Sequence, residues 1–325
     1  MTGLELRRLS TSVYACAQGR RGMGMSNSGL VAAGGGLVVD TMFDLTLTRH
    51  MASLYAEVHT EPPRRIVNTH HNGDHCWGNQ VFPGAEVIAH RGCADRFTAT
   101  SPAALDAIRL MADPPEHLRD LHEELAPFDF TGIELAPPTT VIDGDTALDL
   151  DGVRVDLIYA GPAHTEGDLI VHLPDEGVAL LGDVLFHGCT PVGWEGSTDQ
   201  WIASLRRVEE LAPEHVVPGH GPVCGVAGVR AQRAYLEYVR DEARAAWRAG
   251  RSVLECCAGL DFGPYADWDE PWRTAANVHR VYRECAGAAW DAPYDTAAVL
   301  RDTRALRTML TAPEAATPVP TPPSR

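Results

Sequence analysis

Short apolar runs separated by turn residues predict β-strands through most of the first 220 positions. Residues 28–40 contain two such runs joined by Gly34-Gly35-Gly36, which predicts a hairpin because glycine accepts positive φ. Strands are predicted at 12–18, 28–40, 66–67, 87–90, 140–141, 146–150, 153–160, 169–173, 178–181 and 216–217.

Longer segments with helical periodicity alternate with these strands. Helices are predicted over 45–58, 103–127, 199–212 and, with a break near 259–271, from Arg230 to about Leu310. The segment 103–127 is a charge-rich insertion interrupted at Pro114-Pro115. Because hairpins are mixed with helical crossovers, we expect an α/β fold with mixed sheets and helices outside them.

Composition narrows the class of protein. The chain has 325 residues, 45% of them hydrophobic and 22% charged, which is typical of a globular protein with a sizeable core. A net charge of −17 argues against binding to nucleic acid or to an anionic membrane surface. Residues 1–10 lack a signal-peptide pattern, and no apolar run is long enough to span a membrane, so we expect a cytoplasmic protein. Its eight cysteines, without a CxxC pair, are expected to be reduced thiols.

Side chains suited to metal binding concentrate directly after the predicted strand at 66–67. His70, His71, Asp74 and His75 place three imidazoles and a carboxylate within six residues. These groups are the usual ligands of zinc and iron, and a short loop can direct several of them to one point. The alternative interpretation is a polar turn that is rich in histidine.

Four further segments place a single histidine or aspartate beside a turn at the end of an apolar run. They contain His164, Asp183, His187 and His220. One histidine near a turn is more often a capping or surface residue than a ligand. Each segment has the same order: an apolar strand, a tight turn and then a ligand-type residue. This repetition favours a shared site.

The order of these motifs resembles that of the metallo-β-lactamase-fold hydrolase superfamily. Its signature is H-x-H-x-D-H followed by a distant His, an Asp and a final His, and the similarity extends from about residue 12 to 224. The resemblance implies an αββα sandwich of two mixed β-sheets with outer helices and a metal site at one edge between the sheets.

The domain organisation follows from the extent of this resemblance. We predict a catalytic domain at 1–228 that carries the insertion at 103–127, and a helical extension at 229–311 packed on it. The Pro- and Thr-rich residues 312–325 are predicted to be a disordered tail.

The resemblance also implies a ligand set. The first metal site would use His70 and His164, the second Asp74, His75 and His220, and Asp183 would bridge them. In such sites a metal-bound hydroxide attacks the substrate carbonyl, and Asp74 or Asp183 would also orient the water. The expected cofactor is zinc, as one or two ions, with manganese or iron as alternatives.

One position departs from the family pattern, because Asn72 stands where the family has its second histidine. An amide oxygen is a weaker zinc ligand than an imidazole. We therefore predict an intact second site and a weakened first site, with Asn72 as an optional ligand. A rival hypothesis is that His71 replaces the missing ligand, although it lies one residue out of register.

Other residues are expected to support or line the site. Asp40, Thr69 and Thr165 are predicted to hold the ligands in place. In the family, the segment after the bridging aspartate lines the pocket. That makes Trp194 and Glu195 candidate pocket residues and His187 a candidate proton carrier. A rigid surface loop with one buried Trp is an equal alternative.

Two segments farther from the motifs are also candidate parts of the site. The insertion is a candidate lid. The aromatic residues of the C-terminal helices are expected to be core, with a pocket cap or a dimer face as alternatives.

The leading functional hypothesis is a metal-dependent hydrolase of a thioester, ester or lactone. The sequence is also similar to bacterial cyclase/thioesterases of secondary metabolism that release aromatic polyketides from a carrier protein. An acidic carrier would need a basic patch, at Arg206-Arg207 or over 230–251. Alternatives are an iron-dependent oxygenase of the same fold and a non-catalytic small-molecule-binding protein. The expected partner is a small acyl substrate, free or bound to a carrier, and the sequence leaves a homo-oligomer open.

Overall fold

The computed structural model describes residues 3–18 and 22–312. The tail predicted at 312–325 therefore lies, from residue 313 onward, outside the described residues. The strands are β1 (Leu4–Arg8), β2 (Val13–Gln18), β3 (Ser28–Val31), β4 (Leu37–Val39), β5 (Arg65–Val67), β6 (Glu86–His90), β7 (Thr140–Ile142), β8 (Thr146–Leu150), β9 (Val153–Tyr159), β10 (Leu169–Leu173), β11 (Val178–Leu180) and β12 (His215–Val217). The helices are α1 (Leu45–Ala56), α2 (Gly73–Cys76), α3 (Arg91–Arg96), α4 (Pro102–Arg109), α5 (Arg119–Leu125), α6 (Thr198–Leu211), α7 (Val226–Arg248), α8 (Val253–Ala258), α9 (Thr274–Cys285) and α10 (Thr296–Thr311).

The described strands form two mixed sheets, as predicted. The first sheet has the order β1-β2-β3-β4-β5-β6-β7, antiparallel up to β4 and parallel from β4 onward. The second has the order β12-β11-β10-β9-β8, in which only the β11–β12 pair is parallel. In both sheets the parallel pairs bring the carboxyl ends of neighbouring strands to the same edge.

Side-chain alternation packs the two sheets face to face. In β10, Leu169, Val171 and Leu173 point between the sheets, where they join Val39 and Val67 of the first sheet in one buried cluster. Successive side chains of a strand point to opposite faces, so the intervening β10 residues are directed at the helices outside. The arrangement is the αββα sandwich expected from the motif resemblance.

Helices cover the outer faces of both sheets. Over the first sheet lies a cluster that includes Met51 of α1 and Leu125 of α5. The second sheet contributes Ile170 to a cluster with Trp201 of α6 and Val278 of α9. The C-terminal helices thus share their core with the sandwich.

The sequence predictions differ from the structure at a few element boundaries. Strand β1, the edge strand of the first sheet, was not predicted because its L-E-L-R-R pattern is short and largely charged. Helix α7 begins at Val226 rather than at residue 230. The short helix α2, which begins at Gly73, was not predicted. Over residues 3–18 and 22–312, none of the helices is both long and apolar enough to cross a bilayer.

Candidate metal centre

The predicted ligands follow the carboxyl ends of strands from both sheets. The segment 68–75 follows β5 of the first sheet, whereas Asp183 and His220 follow the parallel strands β11 and β12 of the second. His164 lies in the loop between β9 and β10. Sites in α/β folds lie at such strand ends, and here the two sheets contribute side chains to one point.

Two overlapping groups of donor atoms form at this point. The ligating atoms of His70, His75 and Asp183 all lie within 4.8 Å of one another, and so do those of Asp74, His75 and His220. The predicted second site is therefore assembled in full around Asp74, His75 and His220, with Asp183 next to it.

Four distances between the carboxylates of Asp183 and Asp74 and the imidazoles of His75 and His220 are close to ligand-to-ligand distances in a tetrahedral site. The Oδ1 atom of Asp183 lies 3.1 Å from Nε2 of His75 and 3.3 Å from Nε2 of His220. The Oδ2 atom of Asp74 lies 3.7 Å and 3.4 Å from the same two nitrogens. A tetrahedron with ligand bonds of 2.0–2.2 Å has edges of about 3.4 Å. All four distances fall near that value.

The imidazoles of this centre are oriented by hydrogen bonds from their Nδ1 atoms. His75 donates to Oδ2 of Asp40 at 2.9 Å, His164 to the carbonyl oxygen of Val192 at 2.9 Å, and His220 to that of Met25 at 3.2 Å. A proton on Nδ1 leaves the lone pair of Nε2 directed at the centre, the tautomer that metal ligands require.

Thr69 fixes the tautomer of His70 in the same way. Its hydroxyl donates to Oδ2 of Asp40 at 2.7 Å, so at the 3.0 Å contact with Nδ1 of His70 the hydroxyl oxygen must accept. Asp40 additionally accepts from the backbone N–H of Thr69 at 2.7 Å. As predicted, Asp40 and Thr69 hold in place the side chains of the two predicted ligands His75 and His70. Thr165 acts separately, since it donates to the buried carboxylate of Asp168.

Several inward-facing atoms have no hydrogen-bond partner although they are buried. They are Nε2 of His70, Nε2 of His75 and Oδ1 of Asp183. Buried polar atoms without partners are rare in proteins and costly. A divalent cation bound by these atoms would satisfy all three, so the residues present fit a metal ion. Their ligand roles remain predictions.

The electrostatics of the cluster also suit a cation. Burial lowers the pKa of His164 to about 4, which keeps the imidazole neutral, the form that binds metal. Burial opposes ionisation of Asp183, but positive charge on the imidazoles of His220 and His75 holds the pKa of its carboxyl well below the usual range. Although burial opposes it, the carboxylates of Asp183 and Asp74 raise the pKa of His220 to about 9, so a metal ion bound there would replace protons on these imidazoles. Asp183, the predicted bridging residue, is therefore ionised.

Asn72 has an unusual contact with His164. Its Oδ1 atom lies 2.9 Å from Nε2 of His164. Because His164 donates its Nδ1 proton to Val192, its Nε2 atom is an acceptor, and two acceptors face each other. A cation shared by both atoms resolves the conflict, and so does a rotated amide whose Nδ2 donates to His164. In the rotated form, the amide N–H of Asn72 occupies the Nε2 lone pair of His164, which is then not free for a metal. This gives a physical reason for the predicted weakness of the first site.

Of the other predicted site residues, some line the cavity at the centre and others do not. His71 points away from the donor groups, with its Nε2 atom 3.6 Å from Oε1 of Glu195, so the geometry does not support it as a substitute ligand. Trp194 and Glu195 line the cavity at the centre. His187 does not line it, because its Nδ1 atom is bonded to the carbonyl oxygen of Pro222 at 2.9 Å. The geometry therefore does not support a proton-carrier role for His187.

A cavity of about 350 Å³ opens onto the centre, and distant segments form much of its wall. Leu121 and Glu124 come from the insertion, and Trp272, Arg273 and Leu300 come from the C-terminal helical region. From the sequence, Trp272 was expected to be core, with a pocket cap as the alternative, and the structure both packs it against the core and places it on the cavity wall. Glu124 and Arg273 had no signal in the sequence, because only the tertiary fold brings them to the site.

Comparison with known proteins identifies the family. The model of the metallo-beta-lactamase superfamily matches residues 21–220. The chain belongs to this superfamily. The match includes every predicted metal ligand and ends before α7, so the C-terminal helices lie beyond it.

Individual superfamily members are similar over part of their length. A hydroxyacylglutathione hydrolase from Erythrobacter litoralis is 39% identical over 153 residues, which are 46% of this chain and 45% of that protein. A linear primary-alkylsulfatase from a Pseudomonas species is 25% identical over 236 residues, which are 63% of this chain and 44% of that protein. The chain thus spans about half the length of these relatives.

A solved superfamily structure extends the likeness of fold. The sec-alkylsulfatase Pisa1 from Pseudomonas sp. superposes with a TM-score of 0.68 at 16% identity, over 90% of this chain and 52% of that chain. At this coverage the shared fold includes most of the C-terminal helical region as well as the sandwich.

Proposed function

We propose that this chain is a metal-dependent hydrolase of an ester-type bond, namely a thioester, ester or lactone with an apolar acyl group. One observation carries the proposal. Imidazoles with their Nδ1 protons donated outward converge with Asp74 and Asp183 at a cavity whose walls are rich in aromatic side chains.

The residues around the centre have distinct tasks in this reaction. A divalent ion bound there supplies a Lewis acid and lowers the pKa of water. Both aspartates line the cavity, but the side chain of Asp183 is only 5% exposed, which suits a bridging carboxylate, whereas that of Asp74 is 14% exposed. We therefore assign to Asp74 the task of orienting the attacking water and accepting its proton.

The cavity wall suits an apolar acyl group. Phe43 and Trp77 stack with ring centroids 5.2 Å apart on one side, and Trp272 lies in the wall formed by the C-terminal region. Burial of an acyl chain against these rings stabilises the complex by about 25 cal/mol per Å² of apolar surface and excludes bulk water from the reaction.

A second cavity, of about 310 Å³, adjoins the first and shares Trp194 and Glu195 with it. Arg96, Arg283 and Trp290 line this second cavity. We assign the leaving group to this side, because Arg96 and Arg283 offer hydrogen-bond donors there beside the flat apolar surface of Trp290.

The structure favours a free substrate over one bound to an acidic carrier. The predicted docking arginines are already engaged in ion pairs. Arg206 contacts Glu237 at 2.6 Å, and Arg233 contacts the same carboxylate at 2.9 Å. A carrier-bound polyketide remains an untested prediction.

An alkyl sulfate ester is a second candidate substrate. The observation that favours it is the likeness to alkylsulfatases, both in sequence over 63% of the chain and in fold over 90% of it. The acidic wall of the cavity argues against it, since Glu195 and Glu124 line the cavity and would disfavour the negative charge of a sulfate monoester.

One panel of assays tests the proposal. The purified protein is analysed for metal, then assayed against S-acyl thioesters, aryl and alkyl esters, lactones and primary and secondary alkyl sulfates, each with short and long chains. We expect turnover of a long-chain carboxylic ester or thioester that chelators abolish and zinc or manganese restores. Turnover of alkyl sulfates alone would select the second candidate. Bound iron with oxygen consumption, or ligand binding by a metal-free protein without turnover, would refute both.

A further inference from the structure

Helix α9 lies outside the region that the superfamily model matches, yet it contacts the backbone around His164. The Nη2 atom of Arg280 donates to the carbonyl oxygen of Ala163 at 2.8 Å and to that of His164 at 3.3 Å. The guanidinium lies 5.1 Å from the ring centre of Trp201 and is almost completely buried, as Arg280 is 3% exposed. A buried charged side chain that donates from Nη2 to two main-chain carbonyls holds that segment firmly.

The same helix also contacts the segment that orients the ring of His164. Asn277, one turn before Arg280, donates from Nδ2 to the carbonyl oxygen of Pro191 at 2.8 Å. The next carbonyl along the chain, that of Val192, is the one that accepts the Nδ1 proton of His164 at 2.9 Å. Asn277 therefore fixes the position of the acceptor, while Arg280 fixes the backbone that carries the donor.

Gly193 shows how closely the helix and this segment approach each other. A Cβ atom at Gly193 would lie 2.9 Å from Oδ1 of Asn277 and 3.1 Å from Nε of Arg280. Both contacts are tighter than real Cβ atoms ordinarily make, so only glycine fits without displacing the segment. The glycine after Val192 thus allows α9 to reach both residues.

We infer that Arg280 and Asn277 are positioning residues for His164, and that helix α9 thereby sets the affinity of the first metal site. The inference rests on the proposed metal centre. It assigns the effect to one site, because the hydrogen bonds of Arg280 and Asn277 reach residues 163–164 and Pro191, next to the acceptor of His164. His75 and His220 are oriented instead by Asp40 and Met25. Loss of the partners that orient a metal ligand lowers metal affinity by about 10- to 100-fold.

Cobalt titration tests this selectivity. Cobalt binding is followed by visible absorption and by elemental analysis after gel filtration, in the natural chain and in Asn72→His, where a third imidazole favours loading of the first site. We expect Arg280→Met to raise the Kd of the weaker ion by at least about tenfold and to leave that of the tighter ion within about twofold. Arg280→Lys, which retains a donor, should recover part of the loss. Arg233→Met, on α7, is the control and should change neither constant.

A second variant keeps the test independent of whether Arg280→Met folds. Gly193→Ala displaces the segment from α9 and leaves both helix residues intact, so it should weaken the same ion. Equal weakening of both ions by Arg280→Met, or unchanged binding in Gly193→Ala, would overturn the inference. If the natural chain and Asn72→His bind no cobalt at all, the proposed metal centre itself is wrong, whereas two-ion binding that is insensitive to Arg280 refutes the positioning role alone.

Discussion

Single side chains are the basis for our prediction that one half of the proposed metal centre is stronger than the other. His75 belongs to both groups of donor atoms, and its Nδ1 proton is held by Asp40, whereas Asn72 faces His164 acceptor to acceptor. The two positions are three residues apart in the sequence but differ completely in what their side chains can offer a cation.

Substitution of these two residues should therefore have unequal effects. His75→Ala removes a shared ligand and should lower kcat/KM by more than about 100-fold, and Asp183→Ala should do the same. Asn72→Ala removes only a weak amide ligand and should cost less than about tenfold. Steady-state kinetics at saturating zinc measure the contrast. If Asn72→Ala were as damaging as His75→Ala, the first site would not be dispensable.

Asp40 offers a test of tautomer control. Its Oδ2 atom accepts from His75 and from the Thr69 hydroxyl, and its Oδ1 atom accepts from the backbone N–H of Thr69. The single oxygen of Asp40→Asn cannot accept at both positions, so its NH2 group must face one of these donors. An amide N–H directed at Nδ1 of His75 would favour the tautomer with the proton on Nε2, so we expect Asp40→Asn to weaken metal binding by about 10- to 100-fold. Isothermal titration of the metal-free protein measures this change.

Asp44→Asn is the matched control for this prediction. Asp44 is also buried, but it caps helix α1 by accepting from the backbone N–H of Leu47 at 2.7 Å. Its substitution should reduce stability and leave metal affinity unchanged. Comparable loss of metal affinity in both variants would show that Asp40 acts only through stability.

Among the elements, the insertion and helix α10 meet across the cavity. Asp120 of α5 is the shared partner of Arg304 and Arg307 of α10, the latter at 3.1 Å, and Arg307 also lies over the ring of Trp272 at 4.9 Å. These contacts join two segments that are about 180 residues apart in sequence and that both line the cavity.

Breaking this connection should affect substrate binding more than chemistry. In Asp120→Asn we expect KM for long-chain substrates to rise by about three- to tenfold with a smaller change in kcat, because the partly exposed pairs contribute about 1–2 kcal/mol. Glu123→Gln, on the same helix but more exposed and 4.0 Å from Arg307, should change neither constant. A fall in kcat with unchanged KM would contradict a role in binding.

The sequence predicted elements well where a periodic pattern was long or a motif was local. The helix predicted at 199–212 is α6, which begins at Thr198 with Ser197 as its capping residue. Strand β1 was missed because an edge strand buries little, and its pairing with β2 decides its structure. The cavity wall could not be predicted, since the contact of Asp120 with Arg304 depends on how α5 and α10 pack.

For the whole molecule, stability and metal binding are coupled, because ligands come from both sheets. Removal of the ion should leave the buried Nε2 atoms and Asp183 unpartnered and lower Tm by roughly 10 °C, if the ion is present at about 1000 times its Kd. Calorimetry before and after chelation, followed by zinc addition, measures the shift. His75→Ala should show little shift on zinc addition. An unchanged Tm after verified metal removal would refute the coupling.

A buried acid in the cavity wall should make stability depend on pH. Burial raises the pKa of Glu124 from 4.5 to about 7. Because the folded state binds this proton more tightly than the unfolded state, the stabilisation is present below about pH 4.5 and is lost as pH rises through about 7. Glu124→Gln should thus gain about 1–3 kcal/mol relative to the natural chain at pH 8 and little at pH 5. Urea unfolding at both pH values, with Glu123→Gln as the control, measures the difference.

The division of the ligands between the sheets has a consequence for fragments of this chain. A piece that ends before β8 holds His70, Asp74 and His75, and the remaining piece holds His164, Asp183 and His220. Apart from the optional ligand Asn72, each half carries three of the six predicted ligands, so neither can complete the second group of donors. If the chain were cut in the turn between β7 and β8, the proposed hydrolysis should be lost in each fragment. Its recovery on mixing would measure how far the two sheets reassemble.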